Sequence, residues 1–192
     1  MDALRNMLKS VAPLPDQEIE IFLDMGVKQE LASGEYFIRA GEIPRKIAFV
    51  QSGLFRYVYI NTDGKEFTKS LFTEHSILSS YSSMIQKSPS YFYIEAMEDS
   101  EIMSFDFERW QGLQNNHSAW TQFLLALVQK GFIVKEKRER ELLLLDAEQR
   151  YRIFLDEFPG MDKRIKQSII ASYLGISPES LSRIRKHMDG IK

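Results

Sequence analysis

The sequence of 192 residues contains no cysteine and only three histidines. The absence of cysteine excludes disulfides, thiolate zinc sites and cysteine-ligated iron–sulfur clusters. Lone histidines such as His75, His117 and His187 are more often surface or hydrogen-bonded residues than haem ligands. The composition therefore predicts a protein with no metal site and no cofactor.

Long apolar segments are also missing. No run approaches a membrane span, and the N-terminal residues lack the apolar core of a signal peptide. The chain has no nucleophile–base motif, no metal-ligand spacing and no phosphate-binding loop, so nothing in it argues for an enzyme. We expect a cytoplasmic protein with no membrane contact, and its hydrophobic fraction of 44% is enough to form a core.

Charge is distributed unevenly. The net charge is −2, but the segment from Met161 onward carries +4 and the remainder −6. Its basic residues are Lys163, Arg164, Lys166, Arg183, Arg185, Lys186 and Lys192. A basic end on an acidic body suits a local contact with nucleic acid.

That basic segment contains the pattern of a helix-turn-helix, KQSIIASYLGISPESLSRIRKH. Ala171 is small enough for two crossing helices, and Gly175 tolerates the positive φ that the turn needs. Ser177 is a favourable N-cap, and Pro178 a favourable first helical residue. The second helix then directs polar residues away from the core, among them Glu179, Ser182, Arg183 and Lys186. Such side chains can reach base edges and phosphates.

The rest of the chain divides into two further parts. Residues 1–30 have helical spacing, and short β-rich runs separated by glycines follow to Phe107, which predicts a small antiparallel barrel or jelly roll. The segment Asn61–Gly64 predicts a hairpin turn. Asp146 with Gln149 resembles a capping box, so a hinge is expected near 145–147. The predicted domains are a barrel at 1–117, a helix at 118–145 and a DNA-binding domain at 146–192.

The predicted long helix, 118–145, carries an apolar seam close to a 3.5-residue period. We expect a homodimer through it, because one recognition helix binds DNA weakly whereas a two-fold dimer reads two half-sites. The alternative is packing against its own barrel, and both can hold for different faces. The candidate dimer residues are Trp120, Leu124, Leu127, Gly131 and Val134.

Barrel, long helix and helix-turn-helix in this order resemble the Crp/Fnr family of bacterial transcription regulators. GEYFIRAGEIPRKIAFVQSGLFRYVYINTDGKE is similar to the glycine-punctuated first half of the family barrel, and RYRIFLDEFPG with the helix-turn-helix is similar to its DNA-binding half. The resemblance implies an α+β fold with an N-terminal double-stranded β-helix, or jelly roll, as a cyclic-nucleotide-binding-like sensor. The C-terminal domain would be a winged helix with the wing short or missing.

The resemblance also implies roles for individual residues. Lys166 and Gln167 would lie near a phosphate, and Glu179 and Arg183 would lie on the base-reading face. Pro178 stands where the family often has an arginine, so one guanine contact is lost. The candidate DNA-binding residues are Lys166, Gln167, Ser177, Glu179, Ser180, Ser182, Arg183 and Lys186. The implied partners are a pseudo-palindromic DNA operator, a second copy of the chain and RNA polymerase.

Cyclic AMP is not the expected effector. In members that bind it, a glutamate takes the ribose hydroxyl and an arginine pairs with the phosphate. Here a serine, taken as Ser79, stands at the first position, and Pro89 stands at the second. An unpaired buried phosphate would cost several kcal/mol. The hydroxyl pair aimed at adenine becomes Lys135 and Glu136. An uncharged pocket or a plain polar loop remain alternatives, with the candidate lining residues Ser79, Ser80, Tyr81 and Ser90.

The leading hypothesis is thus a homodimeric, sequence-specific transcription regulator whose small-molecule effector is unidentified or absent. The alternative is a ligand- or protein-binding signalling module with a vestigial helix-turn-helix. Salt-dependent, sequence-selective affinity for DNA would discriminate between the two.

Overall fold

The computed structural model describes residues 2–189. The strands are β1 (Val27–Leu31), β2 (Tyr36–Ile38), β3 (Lys46–Ser52), β4 (Phe55–Ile60), β5 (Glu66–Phe72), β6 (Ile77–Leu78), β7 (Tyr93–Ala96) and β8 (Ser100–Asp106). The helices are α1 (Asp2–Val11), α2 (Asp16–Asp24), α3 (Tyr81–Gln86), α4 (Phe107–Asn116), α5 (Ser118–Leu144), α6 (Ala147–Glu157), α7 (Met161–Arg164), α8 (Gln167–Leu174) and α9 (Pro178–Asp189).

The strands form two antiparallel four-stranded sheets, ordered β1-β8-β3-β6 and β2-β7-β4-β5. Side chains from both sheets meet in one apolar core, which includes Phe49, Phe55 and Phe105. Helices α1 and α2 pack on the same core, and the rings of Phe22 and Phe105 stack with centroids 4.1 Å apart. The predicted jelly roll is confirmed, and the burial of both inner faces holds the sheets together.

Strand β1 corrects one sequence prediction, since residues 27–30 were expected to be helical. Four of its five residues are exposed, including Val27, so the segment has no alternating apolar pattern. Its strand conformation comes instead from backbone pairing with β8 at the edge of the sheet. An edge strand that buries little is hard to recognise from periodicity.

The hairpin between β4 and β5 forms where Asn61–Gly64 predicts it. Gly64 has φ of 76°, and the side-chain oxygen of Asn61 accepts hydrogen bonds from the amides of Asp63 and Lys65. Further along, Tyr57 pairs with Ser70 while Val58 pairs with Thr68. Lys69 is therefore the extra residue of a β-bulge, a feature that bends a strand and redirects a side chain.

Helix α5 packs the first half of the seam that the sequence offered for a dimer against its own barrel. Trp120 is fully buried, packs on Phe22 and Phe123, and donates its indole N–H to Glu18 at 2.8 Å. The partly buried Leu124 and Leu127 pack on the same core. Trp120 therefore belongs to the interior of its own barrel and is not available to a second copy.

A different face of α5 is apolar and exposed. We define it by Leu125, Val128, Phe132 and Ile133, whose exposed fractions lie between 43% and 65%. At 3.6 residues per turn, Leu125, Phe132 and Ile133 lie about 120–140° around the helix from Trp120, and Val128 lies about 80° from it. Gly131 and Val134, the other two candidate dimer residues, are exposed as well, but they lie closer to the Trp120 side.

The helices after α5 form a second core. The helix ends at Leu144, and Asp146 with Gln149 makes the reciprocal capping box that the sequence predicts. The new core gathers Phe154, Ile170, Leu181 and neighbouring apolar residues, and it includes Leu54 and Leu71 of the barrel. The C-terminal helices thus pack directly on the outer face of the sheet that contains β4 and β5. Beyond β8, residues 107–189 are helical wherever they are regular, and any wing after residue 189 lies outside the described residues.

Candidate nucleic-acid interface and sensor site

Two helices joined by a tight turn form the predicted helix-turn-helix. Helix α8 ends at Leu174, and its C-cap Gly175 turns the chain with a left-handed φ of 69°. The amide of Ile176 then donates to the carbonyl of Ala171. Ala171 and Leu181 are fully buried where α8 and α9 meet. The turn and the crossing therefore follow from the small residue and the glycine that the sequence places there.

The second helix begins as its sequence predicts. The Ser177 hydroxyl accepts a hydrogen bond from the Ser180 amide at 3.2 Å, and Pro178 occupies the first helical position. The Ser177 hydroxyl also donates to the Ser180 hydroxyl, which is a partner of Arg183 as well. In this conformation, the hydrogen bonds of Ser177 and Ser180 stabilise the N-terminus of α9.

The outward side of α9 carries both charged groups that the sequence assigned to base reading. Glu179 and Arg183 are exposed and lie one helical turn apart. The pKa of Glu179 lies below its ordinary value, because its own backbone amide and the nearby Ser177 hydroxyl stabilise the charged carboxylate. An ionised carboxylate and a guanidinium can accept from cytosine and donate to guanine, respectively.

The remaining candidates divide by exposure. Lys166 and Gln167 are exposed at the start of α8, Lys186 is exposed on α9, and Ser182 is half-buried. Lys166 is the N-cap residue of α8, and it makes no side-chain cap. A lysine at the start of a helix whose first amides have no side-chain cap is a combination that suits a phosphate.

Only some of the cations in this domain are free for DNA. Arg164 turns toward the barrel and pairs with Glu74 and Glu98, and Arg185 lies 3.9 Å from Asp162. Among residues 2–189, no ion pair holds Lys163, Lys166, Arg183 or Lys186. Lys163, which sequence reasoning counted but did not assign, is thus a further exposed cation on α7.

Helix α8 is also fixed to the rest of the molecule. The Ser172 hydroxyl accepts from the amide of Thr68 at 2.8 Å and donates to the carbonyl of Glu66 at 3.1 Å. Strand β5 is an edge strand, so these backbone groups have no neighbouring strand. On the other side, Arg138 of α5 stacks on the Tyr173 ring at 3.7 Å and donates to the Tyr173 carbonyl. The helix is therefore held by both the barrel and the long helix.

The serines predicted to line an effector pocket are bonded to one another. The hydroxyls of Ser80 and Ser90 are 3.1 Å apart, both residues are buried, and Ser90 donates to the Phe92 carbonyl. Ser79 exchanges two backbone hydrogen bonds with the buried Tyr57 hydroxyl. Tyr81 is half-buried and begins α3. Ser80 and Ser90 thus satisfy each other, and within residues 2–189 no cation pairs with their hydroxyls.

A cation does lie nearby, on the bulge of β5. The Lys69 ammonium stands 4.3 Å from the centre of the Phe92 ring, and the rings of Tyr57 and Tyr59 are within 6 Å. Burial and the positive charge of Lys135 on α5 lower the pKa of Lys69. The sequence analysis named Lys135 only because it stands where the family has a hydroxyl residue aimed at adenine. It did not identify Lys69.

Among residues 2–189, no group of three or more His, Asp or Glu side chains could hold a metal ion, and no helix is long and apolar enough to cross a membrane.

Comparison with known proteins identifies the fold. Residues 28–117 match the cyclic nucleotide-binding domain family. The c-di-GMP-responsive global regulator CLP of Xanthomonas campestris is 17% identical to this chain over 92% of each chain, with a TM-score of 0.74. FixK2 of Bradyrhizobium japonicum is 19% identical over 86% of each chain, with a TM-score of 0.74. The chain has the fold of the Crp/Fnr transcription regulators.

A third structure carries that family name directly. A putative regulator of the Crp/Fnr family from Eubacterium rectale is 18% identical, with a TM-score of 0.74, over 92% of this chain and 84% of its own. A search of curated proteins gave no match. The family match covers strands β2 to β8 of the barrel, whereas α8 and α9 lie outside the matched residues.

Proposed function

We propose that this protein is a sequence-specific, DNA-binding transcription regulator of the Crp/Fnr type that acts as a homodimer. The observation that carries the proposal is α9 itself: a capped helix after a left-handed glycine turn, with Glu179 and Arg183 outward. The unpaired cations of α7, α8 and α9 supply the sequence-independent attraction to phosphates.

The second copy would meet the exposed apolar face of α5. That face combines Leu125, Val128 and Phe132 on one side of a helix of 27 residues. Exposed apolar patches of this kind mark interaction sites, and a two-fold axis along α5 would place two copies of α9 for two half-sites. Such a dimer would act in the cytoplasm and regulate transcription through contact with RNA polymerase.

The barrel would act as a sensor, but not for cyclic AMP. The family resemblance assigns the ribose and phosphate contacts to Ser79 and Pro89, and the residues that follow them, Ser80 and Ser90, are bonded to each other and offer no positive charge. An effector can change DNA affinity only by binding one arrangement of the molecule better than another.

Selection of duplexes from a random DNA pool by the purified dimer tests this proposal. The selected duplex and a scrambled duplex of the same composition are then titrated at several salt concentrations. We expect the selected duplex to bind at least a hundredfold more tightly, with affinity falling as salt rises. Equal affinity for both duplexes would favour the signalling module with a vestigial helix-turn-helix.

A further inference from the structure

We infer that Arg164 is a further phosphate-binding residue of the DNA-binding domain, and that Glu74 and Glu98 of the barrel compete with DNA for its guanidinium. The inference rests on the proposed function of the helix-turn-helix, and it adds a way in which the barrel regulates that surface. It requires no movement of the recognition helix, because only one side chain in each subunit exchanges its partner.

Arg164 lies close in the chain to Lys166, the candidate phosphate contact. It is the last residue of α7, and Lys166 is the N-cap residue of α8. Ile165, which separates them, is buried and has an extended backbone with φ of −127° and ψ of 156°. Side chains alternate along an extended segment, so Arg164 and Lys166 both leave the core on the side opposite to Ile165. A phosphate contacted by Lys166 would therefore stand near Arg164 as well.

The guanidinium of Arg164 is held by carboxylates from two separate turns of the barrel. Its Nη2 atom lies 3.2 Å from an oxygen of Glu74 and also donates to Glu98, whose second oxygen lies 3.4 Å from Nε. Glu74 follows β5, and Glu98 follows β7. Two carboxylates against one guanidinium leave one net negative charge beside the DNA-binding domain. The barrel therefore withholds a cation from DNA and adds a charge that repels phosphates.

Both turns are fixed in a way that presents these carboxylates. The carboxylate of Glu74 accepts from the Gly53 amide at 3.2 Å, and the next residue, His75, has a left-handed φ of 66°, a conformation that favours glycine. In the other turn, the Ser100 hydroxyl donates to the Glu98 carbonyl at 2.7 Å. The barrel thus keeps an unfavourable backbone conformation directly beside one of the two acceptors.

The ion pair is exposed enough to exchange its partner. The exposed fraction of the side chain is 35% for Arg164 and 37% for each of Glu74 and Glu98. Ion pairs at such positions contribute little to stability, because solvent screens them. A phosphate offers a guanidinium the same paired acceptor oxygens as a carboxylate, so DNA can replace the barrel as the partner of Arg164. The hydrogen bonds of Ser172 with β5 remain in place during this exchange.

Titration of the full chain with the selected and the scrambled duplex tests the inference. Glu74→Gln with Glu98→Gln keeps the shape of both side chains and removes their charges. We expect this double variant to bind both duplexes at least about threefold more tightly, with a slope of log affinity against log salt that is steeper by about one per subunit. The ratio of the two affinities should stay unchanged, because a phosphate contact carries no sequence information.

Two controls separate the release of Arg164 from a general effect of charge. Glu42→Gln with Glu108→Gln removes the same charge from two exposed residues that, within residues 2–189, belong to no ion pair. This control should leave the salt slope unchanged. Arg164→Gln in the wild type should change DNA affinity by less than about twofold, because the barrel already holds the guanidinium, but in the double variant it should abolish the gain.

NMR of arginine side chains gives a measurement on the wild type. The Arg164 Nε–H signal should shift when the scrambled duplex is added, since Nε–H leaves Glu98 for a phosphate. The Arg56 Nε–H signal should stay in place, because this group donates to Glu95 within the barrel at 2.7 Å.

Three results would overturn the inference: no gain in affinity by the folded double variant, a gain no larger than that of the Glu42 and Glu108 control, or a gain that survives Arg164→Gln. If the wild type selects a duplex while the double variant shows no gain, this inference is wrong and the proposed function stands. If the gain depends on Arg164 while no duplex is preferred, the sequence-specific function is wrong and the competition for Arg164 stands.

Discussion

At the scale of single residues, the helix-turn-helix separates side chains that read sequence from side chains that attract DNA. Arg183 is exposed on α9 next to Glu179, whereas Lys166 lies at the N-terminus of α8. The two cations differ in chemistry as well, because a guanidinium can bind a guanine edge through two hydrogen bonds and an ammonium acts as a point charge.

Arg183→Ala should reduce base discrimination. We expect it to cost about 1–3 kcal/mol per half-site on the selected duplex and to relax the preference at one base pair. Affinity for the scrambled duplex should change much less, since only a phosphate contact would affect both. The measurement is a titration of both duplexes by fluorescence anisotropy. An equal loss on both would assign Arg183 to the DNA backbone.

Lys166→Ala should weaken every duplex alike. Removing one phosphate contact should lower the slope of log affinity against log salt by about one per subunit. Lys46→Ala provides the matched control, because Lys46 is an exposed lysine on β3 of the barrel. If the two variants have the same slope as the wild type, Lys166 is not a phosphate contact.

At the scale of elements, α8 is an inner helix bonded to two supports. Ser172 completes the edge of β5, and Arg138 binds the carbonyl end of α8 at Tyr173. Burial lowers the pKa of Arg138. Burial also raises the pKa of Tyr173 to about 12, so the Tyr173 hydroxyl stays neutral at neutral pH. The orientation of the helix-turn-helix thus depends on contacts between residues far apart in the sequence, which local sequence patterns do not predict.

Ser172→Ala should loosen α8 from the barrel. The change leaves the Thr68 amide without its partner, and we expect a loss of about 1–3 kcal/mol in the free energy of unfolding. Ser168→Ala, on the exposed side of the same helix, should change it by less than about 0.5 kcal/mol. Denaturant titration measures both, and hydrogen exchange should be faster at Thr68 in the first variant alone. An unchanged rate of hydrogen exchange at the Thr68 amide would show that the Ser172 hydrogen bond does not hold α8 against β5.

Two exposed glycines of the C-terminal half, Gly131 and Gly175, should respond in opposite directions to alanine. Gly175 has φ of 69°, so Gly175→Ala should destabilise the protein by about 1–2 kcal/mol. Gly131 lies inside α5 with open space around it, so Gly131→Ala should stabilise the protein by about 0.5–1 kcal/mol. Thermal unfolding measures both. A destabilising Gly131→Ala would mean that a close contact, such as a second copy, needs the glycine.

Local chemistry made parts of this molecule predictable from sequence. The turn at Gly175, the cap at Ser177 and the capping box at Asp146 each depend on a few adjacent residues. The dimer seam was less accessible, because α5 is apolar on two faces and periodicity alone does not say which face meets the barrel. The Lys69 cluster was inaccessible, since it needs a bulge in β5 to bring a lysine over rings from β4 and from Phe92, beside a charge on α5.

At the scale of the whole molecule, the exposed face of α5 is the surface that would join two chains. Leu125→Glu with Phe132→Glu should give monomers, because burying two carboxylates in an apolar helix interface is costly. Ile43→Glu places the same charge on an exposed apolar residue of the barrel and should leave the dimer intact. Sedimentation at about tens of micromolar, where modest helical interfaces associate, distinguishes the two.

The double variant Leu125→Glu with Phe132→Glu should also lose affinity for DNA while remaining folded. A monomer keeps its helix-turn-helix but engages one half-site at a time, so it should lose most of the affinity for the selected duplex while its circular dichroism spectrum stays unchanged. Leu127→Glu should instead lower the free energy of unfolding, because Leu127 packs on the barrel core. If the wild type sediments as a monomer, or if Leu127→Glu gives a stable folded monomer while Leu125→Glu with Phe132→Glu remains dimeric, the dimer forms through another surface.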